Sequence, residues 1–427
     1  MYEYVGADDW TRSSVYGLGH WKNGLAFKTE DFSETGRPII KIAELKGGIT
    51  PQTARTLGAY DPAALVRPGD MLFAWSGNPD TSIDVFRWAG EEGWLNQHIF
   101  KVTPAENVSW EFLFFMLRWL RPRFAEIARN KQTTGLGHVT VQDLKRMTVG
   151  VPSMTEQAEI IRVIGPIQEK IELNAETCAL IETIVRETYR DWFVDFGPTR
   201  AKIEQTAPYL AEEIWSLFPD AFDAEGRPFG WADGSLEDVA RQVGSSINPE
   251  SLDANTPYIG LEHMPRRSMA LGNWGNANNV SSGKTSFKKG DLLFGKLRPY
   301  FHKVGIAPVD GICSTDIVVV NAKSEIPYSF VAACINQDDF VAFTDRTSDG
   351  TKMPRTSWKR MEQYPVCVPN VEVMTAFDAL AGSMLDWLVS AVHETRALVE
   401  TLGLILPELM SGALRLREHV QTLRGGK

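Results

Sequence analysis

The chain of 427 residues repeats itself once, and this duplication constrains its fold more than any other feature. Four short matches occur in the same order in both halves, each separated from its counterpart by 217–221 residues. They pair residues 38–42 with 257–261, 68–73 with 289–294, 99–102 with 317–320, and 149–152 with 366–369. Solenoid repeats recur at about 20–50 residues, so this much longer period indicates two copies of a whole domain.

Each half shows the same predicted order of elements. Short β-rich runs broken by Gly-Asp and proline turns come first, and a helical segment, a last strand and a long helix follow. The helical segments are predicted near residues 109–129 and 327–343. Ser109 is the expected N-cap of the first, and Pro327 is expected in the first turn of the second.

The clearest periodicity lies in the two segments that follow the last strand of each half. Apolar residues recur there at alternating steps of four and three over more than four heptads, with Asn174 as one of few polar interruptions. The principal seam positions are Ile160, Ile164, Ile167, Ile171, Phe377, Met384, Leu388, Leu398 and Leu402. This spacing predicts two long helices that pair as a coiled coil. Two amphipathic helices that cover separate cores are the alternative.

Composition is typical of a globular protein of the cytosol. Hydrophobic residues make up 43% of the chain and charged residues 23%, and no apolar run approaches the roughly 20 residues needed to cross a bilayer. The first residues lack the apolar region of a signal peptide. Four scattered cysteines argue against a disulfide framework and a zinc ribbon. We therefore expect a cytoplasmic protein without a membrane partner.

Charge is distributed unevenly along the chain. The net charge is −10, and residues 204–238 contain nine acidic residues and one basic residue. Residues 284–303 contain six basic residues and one acidic residue. A local basic surface matters more for DNA binding than the net charge, so DNA remains a candidate partner.

Several motifs resemble the specificity subunit of type I restriction–modification systems. Residues 290–301 read Gly-Asp-Leu-Leu-Phe-Gly-Lys-Leu-Arg-Pro-Tyr-Phe, and residues 313–316 read Cys-Ser-Thr-Asp. Residues 151–157 and 406–412 and the aromatic linker at 218–231 add to this resemblance, which extends over the whole chain. The halves also differ from the pattern. Val373 and Met374 replace Glu156 and Gln157, and Trp75-Ser76-Gly77 stands where the second half has Lys-Leu-Arg.

The resemblance implies an α+β fold with a pseudo-two-fold internal duplication, in which two β-rich target-recognition domains are separated by two long antiparallel coiled-coil helices. The implied segments are a first recognition domain at 1–152, a central helix at 153–196, a linker at 197–234, a second recognition domain at 235–369, a C-terminal helix at 370–416 and a tail at 417–427.

The resemblance also implies a function in host defence against foreign DNA. The chain would be a non-catalytic subunit that reads a bipartite target in double-stranded DNA with one recognition domain per half-site. Two modification (methyltransferase) subunits would dock on its helices, and restriction (motor-nuclease) subunits would join them. No cofactor is expected in this chain. S-adenosylmethionine, ATP and Mg²⁺ are expected in the partners, whose assembled complex is a methyltransferase and an ATP-dependent endonuclease.

Candidate DNA-contacting residues lie in three loops. The second half supplies Lys296, Arg298, Tyr300, His302 and Lys303 in one loop and Gly350, Lys352 and Arg355 in another, and the first half supplies Lys131, Thr133, Thr134, Gly135, Gly137 and His138. Arg and Lys can pair with guanine or hold phosphate, and glycine lets the backbone approach a phosphate closely. The alternatives are a solvated basic loop and a plain turn.

Two other functions stay open at this point. We expect neither catalytic residues nor metal ligands, because no DNA amino-methyltransferase motif occurs and no histidines are spaced as metal ligands. A nuclease or methyltransferase with an unrecognised site is one alternative. A coiled-coil scaffold that ignores DNA is the other.

Overall fold

The computed structural model describes residues 5–132, 135–248, 252–280, 282–350 and 352–416. They form two compact units, unit 1 with Met1–Glu169 and Glu400–Lys427, and unit 2 with Lys170–Val399. The division falls inside two long helices, α5 at Met154–Phe193 and α12 at Val371–Ser411. Each unit therefore holds one β-rich domain and part of both helices, and the finer boundaries expected from the sequence stay a prediction.

Unit 1 consists of short strands and four short helices before α5. Its strands are β1 Thr11–Ser14, β2 Gly19–Asn23, β3 Arg37–Ile40, β4 Arg55–Thr56, β5 Leu65–Val66, β6 Met71–Ala74, β7 Ser76–Gly77, β8 Asp84–Arg87, β9 Gly93–Leu95, β10 Ile99–Pro104, β11 Gly137–His138 and β12 Thr148–Val151. Its helices are α1 Ile42–Gly47, α2 Trp110–Trp119, α3 Arg121–Asn130 and α4 Val141–Arg146.

Unit 2 repeats this order. Its strands are β13 Ala232–Ser235, β14 Ala240–Val243, β15 Ser246–Ile247, β16 Pro257–Ile259, β17 Gly275–Asn276, β18 Lys284–Phe287, β19 Leu292–Gly295, β20 Val304–Ile306, β21 Gly311–Cys313, β22 Ile317–Ala322 and β23 Pro365–Val368. Its short helices are α6 Gly197–Ile203, α7 Glu212–Trp215, α8 Leu236–Val239, α9 Tyr328–Ile335, α10 Asp338–Arg346 and α11 Trp358–Met361.

The sheets confirm the duplication. Unit 1 has a four-stranded antiparallel sheet in the order β2-β10-β6-β8, and unit 2 has the same sheet in the order β14-β22-β19-β20. A parallel pair, β3 with β9 or β16 with β21, lies beside each. The central strands β6 and β19 read as unbroken apolar runs because every residue in them is buried.

A further strand pair brings the two ends of each β-rich domain together. β1 pairs with β12 in unit 1, and β13 pairs with β23 in unit 2, both antiparallel. The first strand of each domain is thus hydrogen-bonded to the strand that leads into the long helix.

The helical segments between sheet and long helix differ in detail from the prediction. Each is two helices, α2 and α3 in unit 1 and α9 and α10 in unit 2. Pro122 lies in the first turn of α3, where a missing N–H costs nothing. The Ser109 cap is confirmed, since its side chain accepts a hydrogen bond from the Phe112 N–H, whereas Pro327 is itself an N-cap.

The long helices pair through the predicted seam. Within unit 2 the pairing is antiparallel, because Asn174 of α5 contacts Glu394 of α12 while Trp192 contacts Phe377. All nine principal seam residues are buried or half-buried in the structure, which favours the paired-helix prediction over separate cores. Asn174 is buried, and its amide donates to Glu394 Oε2 at 2.8 Å and to Thr395 Oγ1 at 3.1 Å.

The segment expected as a linker is folded. Phe218 and Trp231 are buried in the core of unit 2, where Trp192 of α5 packs edge-on against Phe218 at 5.0 Å. Arg227 bonds Asp223 at 2.8 Å and closes the turn between them. Among the described helices none has the length and apolar composition of a membrane span.

Candidate nucleic-acid interface

Two loops of unit 2 that carry predicted DNA contacts lie side by side. The backbone of Lys296 accepts a hydrogen bond from the Thr356 N–H at 3.1 Å, and the Arg298 N–H donates to the Pro354 carbonyl at 2.7 Å. Leu297 and Arg355 form a β-bridge between these two bonds. We define residues 296–301 and 349–356 as the paired loops. The structure therefore brings together two sets of residues that are far apart in sequence.

The paired loops present cations and an aromatic ring at the surface. Lys352, Arg355 and Tyr300 are exposed, and Lys296 and Arg298 are half-buried. Gly350 lies at the exposed tip, with a positive φ of 87° that glycine adopts without strain. The side chains offer donors for phosphate or base edges together with a ring for apolar contact.

Arg298 has an unusual backbone conformation. Its φ is +52°, a left-handed value that costs a residue with a Cβ about 1–2 kcal/mol. Its Nε is buried and has no hydrogen-bond partner within the described residues, and its guanidinium lies 5.9 Å from the Phe301 ring. Strain of this kind clusters at functional sites, so Arg298 is the strongest single candidate in this loop.

A carboxylate organises the cations of the paired loops. Asp316 Oδ1 lies 2.5 Å from Arg355 Nη2, and the Asp316 carbonyl accepts from the Lys296 N–H at 2.7 Å. Burial lowers the pKa of Lys296, and the neighbouring Arg355 lowers it further while Asp316 opposes the shift. Asp316 thus orients Arg355 and partly balances the two positive charges.

Two predicted contacts of this loop are corrected by the structure. His302 is buried, shares a hydrogen bond with Asn336 Oδ1 at 3.0 Å and lies 3.2 Å from Asp338, so its ring cannot face DNA. Burial lowers its pKa, which keeps the ring neutral near pH 7. Lys303 donates its ammonium hydrogen to the carbonyl of Leu261. Both side chains support the loop from beneath.

The first-half loop is also corrected in part. Lys131 forms an ion pair with the buried Asp143, with Nζ 2.6 and 2.5 Å from the two carboxylate oxygens, so its charge is already balanced. Gly137 is buried, and a Cβ there would meet the Ala128 carbonyl oxygen at 2.2 Å. Close packing therefore explains this glycine without any phosphate. Thr133 and Thr134 lie outside the described residues.

The remaining first-half candidates stay on the surface. Gly135 is exposed with a positive φ of 84°, and His138 is half-buried opposite Ser76 in the β7–β11 pair. Beside them lie Trp75 and His98, whose ring centroids are 5.7 Å apart. The indole of Trp75 donates to Asn23 Oδ1 at 3.1 Å.

Sequence reasoning missed three residues of these sites: Trp75, His98 and Asp316. A usable signal existed for two of them. Asp316 ends the Cys-Ser-Thr-Asp motif, and Trp75 aligns with Lys296 at the repeat offset. In the described part of the chain no cluster of three or more His, Cys, Asp or Glu side chains could hold a metal ion.

Comparison with known proteins shows one consistent likeness. Residues 7–183 match the family described as the type I restriction modification DNA specificity domain. The type I restriction enzyme HindI specificity subunit of Haemophilus influenzae is 21% identical over an alignment of 372 positions that covers 71% of this chain and 77% of the relative. The EcoDI specificity subunit of Escherichia coli is 23% identical over 271 residues, 61% of this chain and 59% of the relative.

A solved structure has the same fold. The crystal structure of the type I restriction–modification S subunit from M. genitalium superposes with a TM-score of 0.52 at 14% identity, covering 94% of this chain and 96% of that one. At this identity the likeness concerns the fold alone.

Proposed function

We propose that this chain, whose residues 7–183 match the type I restriction modification DNA specificity domain, is a specificity subunit of a type I restriction–modification system. Such subunits determine the DNA sequence on which the complex acts and are not enzymes themselves, whereas the assembled complex is a DNA methyltransferase and endonuclease. Unit 1 reads one half of a bipartite target and unit 2 reads the other, each through the loops at the end of its central sheet.

The observation that supports this proposal best is the pair of loops in unit 2. Lys296, Arg298, Lys352 and Arg355 lie within one small surface of a chain whose net charge is −10. Lys and Arg at such a surface hold phosphates and can pair with guanine O6 and N7. Gly135 and His138 occupy the corresponding part of unit 1 and are proposed to contact DNA there.

The partners proposed here follow from the family. Two modification subunits bind one chain because the duplication presents two similar surfaces, and restriction subunits complete the complex. Specificity subunits carry no cofactor of their own. S-adenosylmethionine, ATP and Mg²⁺ are therefore supplied by the partners, and the complex acts on DNA in the cytoplasm.

One docking surface for a modification subunit lies on α5. Leu173, Leu180 and Ile184 follow one another at steps of seven and four, so they share a helix face. They are exposed to 55%, 60% and 37%, which is unusual for three neighbouring large apolar residues. We assign this face, the α5 stripe, to the modification subunit, because the family resemblance implies that this subunit docks on the long helices.

Methylation mapping tests the proposed function. Host DNA is sequenced for methylated bases in cells that express the modification subunit with and without this chain. The expected result is a split motif with an unspecified middle that appears only when the chain is present. A pure scaffold would give no such motif, and DNA binding of its complex would show no steep fall with salt. A hidden methyltransferase would modify DNA with this chain alone.

A further inference from the structure

The same backbone frame occurs once in each unit. In unit 1 the Trp75 N–H donates to the His98 carbonyl at 3.2 Å, and the Trp75 carbonyl accepts from the Val139 N–H at 2.8 Å. In unit 2 the corresponding bonds run from the Lys296 N–H to Asp316 and from the Thr356 N–H to Lys296, at 2.7 and 3.1 Å. A β-bridge follows each frame, Ser76 with His138 and Leu297 with Arg355.

The frame holds three side chains at matched places, and their chemistry differs between the units. The reading triplet of unit 1 is Trp75, His98 and His138, and that of unit 2 is Lys296, Asp316 and Arg355. None of the six is fully buried. Equal backbone bonds with unequal side chains indicate that the fold requires the frame and leaves the side chains free for another purpose.

The triplet of unit 2 suits a G·C pair. Arg355 is 55% exposed at its side chain, and one of its terminal nitrogens is held by Asp316 at 2.5 Å. A guanidinium fixed in this way keeps further N–H groups for the O6 and N7 acceptors of guanine. Lys296 adds a second donor beside it. Asp316 is therefore a positioning residue for Arg355.

The triplet of unit 1 contains no Lys or Arg. The Trp75 ring packs edge-on against His98, and its centroid lies 5.8 Å from that of Phe100 with an interplanar angle of 30°. Its indole N–H donates a hydrogen bond to Asn23. This leaves an apolar ring surface, which suits the thymine methyl group, and two imidazoles, whose ring nitrogens can accept a hydrogen bond from the N6 amino group of adenine.

We propose that the two reading triplets are the specificity-determining residues of this chain, with unit 2 reading a G·C pair through Arg355 and unit 1 reading an A·T pair through Trp75 and its imidazoles. This inference rests on the proposed function, because it names the residues by which each unit selects bases. The inference goes beyond the proposed function by assigning a class of base pair to each unit.

The test replaces triplet residues and maps the methylated motif of the full complex in cells. Arg355→Ala and Arg355→Lys should each relax one G·C position by about tenfold, because Lys keeps the charge but not the fork geometry. Asp316→Asn should relax the same position and no other. Trp75→Ala and His98→Ala should relax an A·T position in the opposite half of the motif.

The matched control is Lys352→Ala, an exposed cation of the paired loops outside the triplet. It should weaken binding to all duplexes evenly and leave the motif unchanged. Binding of each purified complex to duplexes that differ at single base pairs gives the same comparison in vitro, and thermal unfolding identifies any variant that fails to fold. An unaltered motif in folded Arg355→Lys and Asp316→Asn complexes would overturn the inference. A wild-type complex without any bipartite motif would instead overturn the proposed function.

Discussion

At the scale of the residue, Arg298 combines a strained backbone with an accessible position in the paired loops. Its counterpart in unit 1 is Gly77, which also has a positive φ, of 132°. Glycine at position 298 would adopt the observed φ without steric cost. We therefore expect Arg298→Gly to change the free energy of unfolding by no more than about 1 kcal/mol while it lowers DNA affinity about tenfold. Thermal unfolding and DNA titration at fixed salt measure both, and a large loss of stability would contradict a DNA role.

Lys131 contrasts with Arg298, because we expect its substitution to change stability and not DNA affinity. Its ammonium balances the buried Asp143, so Lys131→Met should cost about 2 kcal/mol of stability without changing DNA affinity. Burial alone raises the pKa of Asp143, but the hydrogen bonds from Lys131 and Thr140 outweigh it, and the pKa stands below its ordinary value of 3.8. This contribution to stability is present above pH 3.8 and is lost as the pH falls through the lowered pKa.

Without Lys131 only the Thr140 hydrogen bonds oppose the effect of burial, so the pKa of Asp143 rises and acid unfolding of Lys131→Met should begin at a higher pH than in the wild type. Unfolding monitored between pH 3 and pH 7 checks the direction of this shift in the pH of acid unfolding.

The sequence could predict that both Lys131 and Lys296 lie in basic loops. It could not predict which of them is neutralised, because Asp143 and Asp316 reach these lysines only through the tertiary fold.

At the scale of the element, the seam of the long helices was predictable because heptad spacing is a local property of the sequence. The break between α2 and α3 was also predictable, because Pro122 is a local signal for a helix boundary. The burial of Trp231 was not, since it depends on what packs against that segment. Asn174 is the buried polar residue of this seam, and its Oδ1 has no partner in the described structure. Asn174→Leu should therefore be neutral or raise stability by up to about 2 kcal/mol. Chemical unfolding measures this, and a loss of more than 1 kcal/mol would show that the bonds to Glu394 and Thr395 stabilise the pair.

The α5 stripe gives a prediction about assembly. Leu180→Glu places a charge in the centre of an apolar surface, so the modification subunit should co-purify with this variant in less than half the wild-type amount. Ala179→Glu is the matched control, because Ala179 is exposed on α5 and lies about 100° around the helix from Leu180. Mass measurement of the wild-type complex should give two modification subunits per chain. If the modification subunit co-purifies equally with both variants, its docking surface lies outside the α5 stripe.

At the scale of the whole molecule, the duplication makes the two recognition domains exchangeable in principle. The Val15 N–H donates to the Met147 carbonyl at 2.9 Å, and the Leu236 N–H donates to the Tyr364 carbonyl at 2.8 Å, so both domains begin and end in the same way. Replacing residues 15–147 with a second copy of 236–364 should give a chain whose methylated motif has two identical halves. Methylation mapping checks this, and a motif with two different halves would show that the long helices contribute to base selection.

The strand pairs β1–β12 and β13–β23 have a consequence for inheritance. Because each pair holds the two ends of a domain together, the codons between the paired strands encode a segment whose removal leaves two strands that lie side by side. Recombination within the flanking strands can therefore introduce a different recognition segment into the gene in one event. If the proposed function holds, a lineage that carries such a gene would change the marks on its own DNA without any mutation in the methyltransferase.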